Sequence, residues 1–573
     1  MHGVNSLRRP SSLDPHQLGF TRRTPVPWLS PRLLLGTGIR SALAMILGAY
    51  LDKRELQGAL PSRIYQQAGE AGELWLDYVA DTGDGFDPTY SVAYLLAQPS
   101  LTVDGHQLPR GQVLIMGGDQ VYPTASMEQY EDRLKGPFTA AYPLPEPDRP
   151  QPTLYALPGN HDWYDGLTAF LRVFVGQRTD RIGGWRIEQT RSYFAISLPH
   201  HWWLFAIDEA YGAYLDDPQL VYFEQAARAL GPRDRVILVT PTPGWSKPGP
   251  KSYDTIDFFL RNIIAPTGAR VAVMIAGDQH HYARYHHPQL ELITCGGGGA
   301  YLAATHPLPA QITVPPRETI VRKASPPQQY ELAGRFPDRD RSRRLGWGIF
   351  GRLPRRNPGF VGLVGLLHTL LMLAIAGAAS NLSVAEERLA TIPLVLMVLL
   401  MLGGTVGLAY IPTGGRKGPR HFLAGTLHGV VHLGLGLAGG LLWLELPIAT
   451  AAWPLPLLVA MLLYLPVAGL VGSQLIAAYL LVGSWFGINV NELFAGQGIE
   501  DYKSFLRLHL ARNGSLTIYS IGVDRICRHW LPDPDAPQPH APWVVPADPS
   551  MLHPRLTEPP VVVSPPTSPD SAA

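Results

Sequence analysis

Cysteine is scarce in this 573-residue chain, which contains only Cys295 and Cys527. Two cysteines cannot build a disulfide framework, and such low usage is typical of a reducing compartment. Net charge is also lacking, since 47 Lys and Arg balance 46 Asp and Glu to within +1. No global field therefore attracts nucleic acid, and no nucleic-acid partner is predicted. The first 20 residues lack the apolar core of a secretory signal peptide.

Charge is absent from four long apolar runs in the second half of the chain. They are Phe360–Ser380, Thr391–Ile411, Phe422–Leu444 and Leu455–Trp485. Each is long enough to cross a hydrocarbon core of ~30 Å, and none contains Asp, Glu, Lys or Arg. The last run is long for one straight span, but Pro466 allows a kink or tilt. The sequence therefore predicts a transmembrane bundle of about four helices.

The connections between these runs differ in positive charge, which predicts their orientation. Basic residues cluster before the first run and in the second connection: Arg339, Arg341, Arg343, Arg344, Arg352, Arg355, Arg356, Arg416, Lys417 and Arg420. The first connection has Arg388 alone, and the third has no Lys or Arg. The positive-inside rule predicts a multi-pass protein of the inner cell membrane with both termini cytoplasmic. Leu33–Leu51, interrupted by Arg40, is predicted to be an amphipathic or packed helix, with a fifth span as the alternative.

Four short polar segments in the first half each follow an apolar run that is typical of a buried strand. The segments are Asp81–Asp84, Gly118–Tyr122, Gly159–Asp162 and Gly277–His281. Strands interleaved with helices predict a layered α/β domain, in which ligands sit where strands end. Carboxylates, an amide oxygen, a phenol and imidazoles suit one or two transition-metal ions. Such a site activates water, which points to hydrolysis of a phosphate ester.

The order of these segments carries a family resemblance. Asp-x-Gly at Asp81, Gly-Asp-x-x-Tyr at Gly118, Gly-Asn-His-Asp at Gly159 and Gly-x-x-His at Gly277 resemble the calcineurin-like metallophosphoesterase superfamily. The Asp-x-Gly and Tyr variants look most like its purple acid phosphatase branch. The segment Asp501–Arg507 is also similar to large membrane-anchored plant and bacterial relatives. The resemblance implies a metallophosphoesterase β-sandwich flanked by helices and a divalent or mixed-valent metal pair of Mn, Fe, Zn or Mg.

The resemblance also implies a role for each matching residue. The implied ligands are Asp81 on the first metal, Asp119 bridging both, Tyr122 on ferric iron, Asn160 on the second metal and His280 completing the first. His161 would protonate or stabilise the leaving oxygen, oriented by Asp162.

Two departures from the family pattern weaken the second metal site. Asp278 replaces the first His of the late motif and is kept as a ligand, while Pro241 stands where the family has a His after a strand. Asp84 and His281 are additional candidates that would compensate. The main hypothesis is hydrolysis of a phosphate mono- or diester, a lipid-linked one included, by a cytoplasm-facing domain. The alternatives are a catalytically weakened sensor or scaffold and, third, a transporter with a regulatory cap.

The predicted domain organisation follows from these patterns. The domains are 1–60 (N-terminal extension), 61–330 (metallophosphoesterase), 331–357 (basic linker), 358–487 (transmembrane bundle), 488–531 (C-terminal helix and strand on the catalytic domain) and 532–573 (disordered Pro-rich tail). Within the bundle, His428 and His432 share a helix face. With His368 they are candidates for haem binding or proton relay, against ordinary neutral histidines hydrogen-bonded within the bundle.

Overall fold

The computed structural model describes residues 9–34, 36, 53–176, 179–209, 214–246, 253–316, 324–379, 384–411 and 418–565. Contacts divide the chain into two units. The first comprises Met1–Val26, Thr37–Arg339 and Glu500–Ala573, and the second comprises Pro27–Gly36 and Asp340–Ile499. The chain therefore leaves the first unit before the apolar runs and returns to it after them. Most of the helix predicted over Leu33–Leu51 lies outside the described residues.

Strands make up most of the first unit. In chain order they are β1 (Tyr65–Gln66), β2 (Leu74–Val79), β3 (Ser100–Val103), β4 (His106–Pro109), β5 (Val113–Met116), β6 (Thr153–Ala156), β7 (Arg181–Ile182), β8 (Trp185–Ile187), β9 (Phe194–Leu198), β10 (Trp202–Ala206), β11 (Arg235–Thr240), β12 (Arg270–Ala276), β13 (Tyr282–His287), β14 (Leu290–Cys295), β15 (Gln311–Val314), β16 (Gln328–Phe336), β17 (Lys503–Leu510), β18 (Leu516–Val523), β19 (Trp530–Pro532), β20 (Val544–Pro546), β21 (Pro554–Leu556) and β22 (Val561–Val563).

Most of these strands form two large mixed sheets in the described part of the chain, while β3 pairs with β4 and β19 with β20. One nine-stranded sheet has the order β1-β9-β10-β11-β12-β14-β13-β16-β15, and the other runs β21-β18-β17-β2-β5-β6-β8-β7 with β22 on β18. The central strands β2, β5 and β6 pair in parallel. Every residue of β5 and β6 is buried, as expected for parallel strands covered on both faces. Their carboxyl ends consequently meet at one edge.

Helices cover one face of each sheet. Those of the first unit are Pro15–Leu18, Lys53–Leu56, Gln57–Ala59, Phe86–Ala97, Met127–Tyr130, Glu131–Lys135, Gly136–Ala141, Asn160–Trp163, Thr168–Phe170, Leu171–Val175, Asp217–Ala227, Asp254–Phe259, Leu260–Ile264, Ala265–Thr267 and Pro549–Met551. Phe86–Ala97 and Gly136–Ala141 share a core with β5 and β6. Asp217–Ala227 and Asp254–Phe259 share another with β11 and β12. The predicted α/β class is confirmed.

The segment after the apolar helices is built into the second sheet. Helix Val490–Ala495 ends early, and β17 then pairs antiparallel with β2 through Leu506–Leu510. The helix predicted within 488–531 is therefore short, and a strand follows it directly in the same segment. Arg507, fully buried, donates from Nε and Nη2 to the Asp77 carboxylate at 2.6 and 2.9 Å. Such a forked pair fixes β17 beside β2.

The disordered tail predicted over 532–573 is wrong for the residues described, which extend to 565. Strands β19 and β20 pair with each other, while β21 and β22 extend the second sheet by pairing with β18. Trp543 N donates to Ala140 O at 2.8 Å, and the Trp543 and Val544 side chains enter the core beside Phe138. Composition misled here because Trp543, Val544 and Leu552 are buried against the rest of the unit, a contact that the tail's own composition does not encode. Residues 566–573 lie outside the described part.

Most of the described residues between Arg339 and Ala495 are helical. The helices are Arg339–Gly346, Ile349–Arg356, Pro358–Ala378, Val384–Ala409, Pro419–Glu445, Pro447–Thr450, Leu455–Val459, Ala460–Tyr464, Leu465–Trp485 and Val490–Ala495. Four stretches among the described residues are long and apolar enough to cross a membrane: Pro358–Ala378, Thr391–Ala409, Pro419–Glu445 and Leu455–Trp485. They are called spans 1 to 4 below, and their number is as predicted.

Large apolar side chains on these helices face outward. Leu399, Leu442 and Leu462 are 62, 64 and 72% exposed. An apolar surface of this extent requires a covering, which indicates membrane association. Glycines allow spans 1 and 4 to touch, since a Cβ on Gly365 would lie 2.3 Å from Leu465 O. In span 4 a π-helical turn at Ala460–Tyr464 lies just before Pro466. The proline ring clashes with the carbonyl one turn earlier in a regular helix, and the wider π turn accommodates it.

Candidate metal centre

The first two polar segments are tight turns at the ends of adjacent parallel strands. Asp81 follows β2 with φ of 58°, and Asp119 follows β5 with φ of 49°. Both adopt the left-handed conformation, which Asp tolerates better than most residues. Asp81 N donates to Gly118 O at 3.0 Å, and Thr82 N donates to Asp119 O at 3.1 Å. These bonds hold the two carboxylates side by side.

The third segment closes over Asp119. His161 N donates to Asp119 Oδ1 at 2.8 Å. A Cβ on Gly159 would lie 2.1 Å from the same oxygen, so this approach requires glycine. The segment after β6 therefore packs its backbone directly on the acidic pair.

The fourth segment comes from the other sheet and reaches the same place. Asp278 follows β12 with φ of 64°, and its N donates to Asp81 Oδ2 at 3.0 Å. His280 Nε2 lies 3.6 Å from Asp81 Oδ1. Both sheets thus contribute to one cluster, as the strand-end pattern predicts.

The phenol of Tyr122 is the common contact of this cluster. Its Oη lies 2.8 Å from Asp81 Oδ1, 3.3 Å from Asp119 Oδ2 and 3.1 Å from His280 Nε2. The side chain is fully buried. Asp81, Asp119 and His280 therefore all lie within hydrogen-bonding distance of the Tyr122 oxygen. The resemblance implies all four residues as ligands.

Burial, rather than a neighbouring positive charge, has the largest effect on the pKa values of these carboxylates. Burial raises the pKa of Asp81 well above its usual range, and repulsion from Asp119 adds to the rise. Burial also raises the pKa of Asp119, although His161 works against it. Among the described residues, His280 forms an ion pair with Asp81 when it is protonated. Burial is the main cause that lowers the His280 pKa to about 3, and the charge of Lys503 is the next. A neutral imidazole cannot neutralise two buried carboxylates.

The donor set fits a metal cation. Carboxylate oxygens, a phenol and a neutral imidazole are ligands of transition metals. A bound cation would lower the pKa values of the two carboxyl groups, which burial otherwise raises. Among the described residues, no group of three or more His, Cys, Asp or Glu alone could hold an ion. The cluster needs Tyr122 as a donor, because the phenol lies between the carboxylates and the imidazole.

His161 is oriented by a different group from the one expected. Its Nδ1 lies 2.7 Å from Pro123 O, a contact that places a proton on Nδ1 because a carbonyl only accepts. The resemblance assigned this role to Asp162. The Asp162 carboxylate instead accepts from Gly159 N at 2.9 Å, from Gln120 N at 3.2 Å and from Tyr130 Oη. Through these hydrogen bonds the Asp162 carboxylate fixes the backbone of the segment that carries His161.

The residues that the resemblance assigns to a second metal offer fewer donor atoms close together than those of the first site. Asn160 Nδ2 donates to Tyr164 Oη at 3.1 Å, which leaves the amide oxygen as the atom to offer a metal. Pro241 lies at the expected place, since a Cβ on Gly118 would be 3.5 Å from Pro241 Cβ, but it offers no donor. The carboxylate of Asp84 accepts from Val26 N at 2.7 Å and so anchors the N-terminal segment. Asp278 reaches Asp81 through its backbone.

His281 is buried beside this cluster without joining it in any described contact. Neither of its ring nitrogens has a hydrogen-bond partner, and burial lowers its pKa to about 4. Successive residues at a strand end project to opposite sides, so His280 takes the position against Tyr122. The first site is therefore the better formed of the two.

Sequence reasoning gave no role to Lys503, which the structure places near the cluster. Lys503 is fully buried, and its Nζ donates to Ala300 O, while Ala300 N donates to Asp81 O at 2.8 Å. Burial lowers the Lys503 pKa to about 8 against the pull of several carboxylates, Asp84 first. The resemblance of Asp501–Arg507 to the relatives indicated that this segment matters. It could not show that β17, which carries Lys503, pairs with β2.

Comparisons with known proteins add little to this geometry. No family model and no curated protein matches the sequence. Twenty chains of solved structures match it. One is described as GAP50, the anchor in the inner membrane complex of Plasmodium; it is 10% identical, with 48% of this chain and 93% of that chain covered. Its TM-score is 0.32, so no conclusion rests on that likeness.

Proposed function

We propose that the first unit is a metal-dependent phosphoesterase of the calcineurin-like superfamily, with the helix-flanked β-sandwich of that family. It hydrolyses a phosphate mono- or diester with Mn, Fe, Zn or Mg ions. The observation that carries this proposal is the contact of Tyr122 Oη with Asp81, Asp119 and His280. Two buried carboxylates held side by side also favour a bound cation, since buried charges in proteins are commonly paired or coordinate metals.

The residues divide into those that hold the metal and one that handles a proton. Asp81, Asp119, Tyr122 and His280 would hold the first ion, with Asp119, Asn160 and Asp278 offered to a second. When bound, the metal supplies activated water and a clamp on the phosphoryl oxygens. The ring of His161 lies 4.5 Å from that of Tyr122. Because Nδ1 donates its proton to Pro123 O, the proton delivered to the leaving oxygen would come from Nε2, which carries one when the ring is protonated on both nitrogens.

The second unit anchors the enzyme as a multi-pass protein with both termini in the cytoplasm. The four spans and the basic connections support this topology. Reporter fusions at Ala385 and Arg416 should report opposite faces, and the same face for both would contradict it. Anchoring favours a lipid-linked substrate. Short-chain lipid phosphates should then be hydrolysed faster than soluble esters, and equal or slower rates would count against a lipid substrate.

The deciding experiment measures metal and turnover together. Purified protein is analysed for metal and assayed on chromogenic mono- and diesters with added Mn, Fe, Zn or Mg. We expect bound metal and hydrolysis in the wild type, and neither in Asp119→Asn. The matched control is Asp524→Asn, an exposed carboxylate on Arg555, which should retain both. A wild type that binds none of these metals would refute the proposal, and a purple colour would support Tyr122 on ferric iron.

A second candidate function follows from the weak second site. Pro241 and Asp278 favour a catalytically weakened domain that serves as a sensor or scaffold. In that case Asp81, Asp119 and His280 still bind metal, but no ester in the panel is hydrolysed. Hydrolysis that depends on His161 would exclude this alternative.

A further inference from the structure

Three histidines form a hydrogen-bonded file inside the second unit. His368 Nε2 lies 2.8 Å from His432 Nδ1, and His432 Nε2 lies 3.0 Å from His428 Nε2. Their exposed fractions are 1, 3 and 6% for His368, His432 and His428. The file joins span 1 to span 3 near the middle of both helices, where polar side chains are costly and commonly functional.

This arrangement does not fit haem or a single metal ion. Two imidazole nitrogens on opposite sides of one ion stand ~4 Å apart, given metal–nitrogen bonds of ~2.0–2.1 Å. The His368–His432 separation of 2.8 Å leaves no such space. His432 also meets its two neighbours with different ring nitrogens. The lone pairs of the three rings therefore diverge instead of meeting at one point.

The proton count of the file defines what it can do. Three neutral imidazoles carry three N–H protons, and the two bonds between them use two. The third proton sits on one terminal nitrogen, and the other terminal nitrogen keeps its lone pair. These terminal atoms are Nδ1 of His368 and Nδ1 of His428, both buried and without a hydrogen-bond partner in the described part.

We infer that His368, His432 and His428 form a proton relay within the membrane-crossing helices. A proton that arrives at the bare terminal nitrogen makes a new N–H bond there. The two bridging protons then each move to the neighbouring ring, and the N–H bond at the far end breaks to release a proton. One proton has entered and one has left, so the file stays neutral with every tautomer reversed. This inference goes beyond phosphate-ester hydrolysis and does not depend on it.

A polar trail continues from His428 toward the end of span 4. His428 stacks on Tyr479 with ring centres 4.0 Å apart. Tyr479 Oη donates to Asn489 Oδ1 at 2.8 Å, and Asn489 Nδ2 donates to Glu492 Oε2 at 3.2 Å. Glu492 lies beyond the span, and burial raises the pKa of its carboxyl. Glu492 can therefore hold a proton in this trail, whose step from Tyr479 to His428 is a ring stack and not a hydrogen bond.

The opposite side of His368 is closed by apolar packing. Met372 lies one turn further along span 1, and it packs with Trp443 and Ala460. In the relay that we infer, a proton that leaves His368 toward the end of span 1 has to pass this cluster, so a smaller side chain at Met372 should speed its passage.

The test uses the full chain in lipid vesicles that enclose a pH-sensitive dye, with a potassium gradient and valinomycin setting the potential. We expect the wild type to admit protons faster than protein-free vesicles do, and Met372→Ala to be faster still. His432→Phe keeps a ring of similar size but has no nitrogen. Introduced into the wild type or into Met372→Ala, it should reduce proton entry to the rate of protein-free vesicles. His368→Gln should do the same, because an amide can hydrogen-bond but cannot pass a proton on.

Controls distinguish relay loss from misfolding. His421→Phe removes a histidine of span 3 that accepts from Gly418 N and lies outside the file, so its flux should match the wild type. All variants are compared by gel filtration and thermal melting. If neither the wild type nor Met372→Ala exceeds protein-free vesicles, or if Met372→Ala keeps its flux with His432→Phe or His368→Gln added, the relay is refuted. Hydrolysis measured on the same preparations is expected to be unaffected.

Discussion

Each unit of this protein buries a polar cluster, but the two clusters balance their charge in opposite ways. In the first unit Asp81 and Asp119 are placed together around the phenol of Tyr122. In the second, His368, His432 and His428 hydrogen-bond to one another. The ion proposed above would complete the carboxylate cluster, whereas the histidine file is complete except at its two ends. The same contrast predicts how each responds to metal.

The largest effect should come from Asp81→Asn, which removes one of the two carboxylates. The wild type should be stabilised by metal, by ~2.7 kcal/mol at a hundredfold excess over the dissociation constant. The variant should lose that stabilisation and all hydrolysis, while its metal-free form melts higher because carboxylate repulsion is relieved. Thermal melting with and without Mn measures both changes. His432→Phe should keep the full metal response, and loss of the response there would erase the contrast between the two units.

His161→Ala should separate chemistry from metal binding. Its ring touches Tyr122 but is fixed by Pro123 O, so the variant should keep its metal while turnover falls by about 10²–10⁴-fold. Metal analysis and steady-state rates on one ester measure the two properties. If metal is lost together with turnover, His161 is a structural part of the centre and not its acid.

Removing a charge that does have a protein partner should act on stability. Asp77→Ala leaves Arg507 buried and unpaired beside β2, which should cost about 3–5 kcal/mol of the free energy of unfolding. Asp524→Ala breaks an exposed pair with Arg555 and should cost less than ~1 kcal/mol. Denaturant unfolding of the two variants measures the difference. Equal costs would mean that Arg507 finds another partner or water.

The two units also differ in how much of them the sequence predicts. The four spans follow from composition alone, because a membrane requires long uncharged helices. The acidic cluster follows from strand-end positions of Asp81, Asp119 and His280. What could not be predicted depends on distant pairing: β17 beside β2, Lys503 near Asp81, and Pro123 rather than Asp162 on His161. The tail shows this limit best, since Glu558 is held by Arg284 through two bonds of 2.8 Å, a contact that local composition does not encode.

Packing in the second unit depends on small residues rather than charges. Gly365→Ala places a Cβ 2.3 Å from Leu465 O, which forces spans 1 and 4 apart and should cost about 1–3 kcal/mol. Gly362→Ala is the matched control on the same helix, since a Cβ there meets nothing within 4 Å. Thermal melting in detergent compares them. An equal loss in both would place the cost in the helix itself rather than in its contact with span 4.

The smallest expected effect is a pH dependence of stability in the first unit. Burial, with Glu500 second, raises the pKa of Asp87 to about 6, although Trp530 Nε1 donates to its carboxylate at 3.1 Å. The folded state therefore holds a proton that the unfolded chain releases near its ordinary pKa of ~3.9. Stability from this group is complete below pH ~4, falls as pH rises to ~6 and is constant above that. Asp87→Asn keeps the acceptor for Trp530 without the charge, so above pH 6 it should gain up to ~1 kcal/mol, a figure reduced for partial exposure. Melting curves between pH 4 and 8 should converge at the acid end; a constant difference across the range would show that the side chain acts through packing and not through its proton.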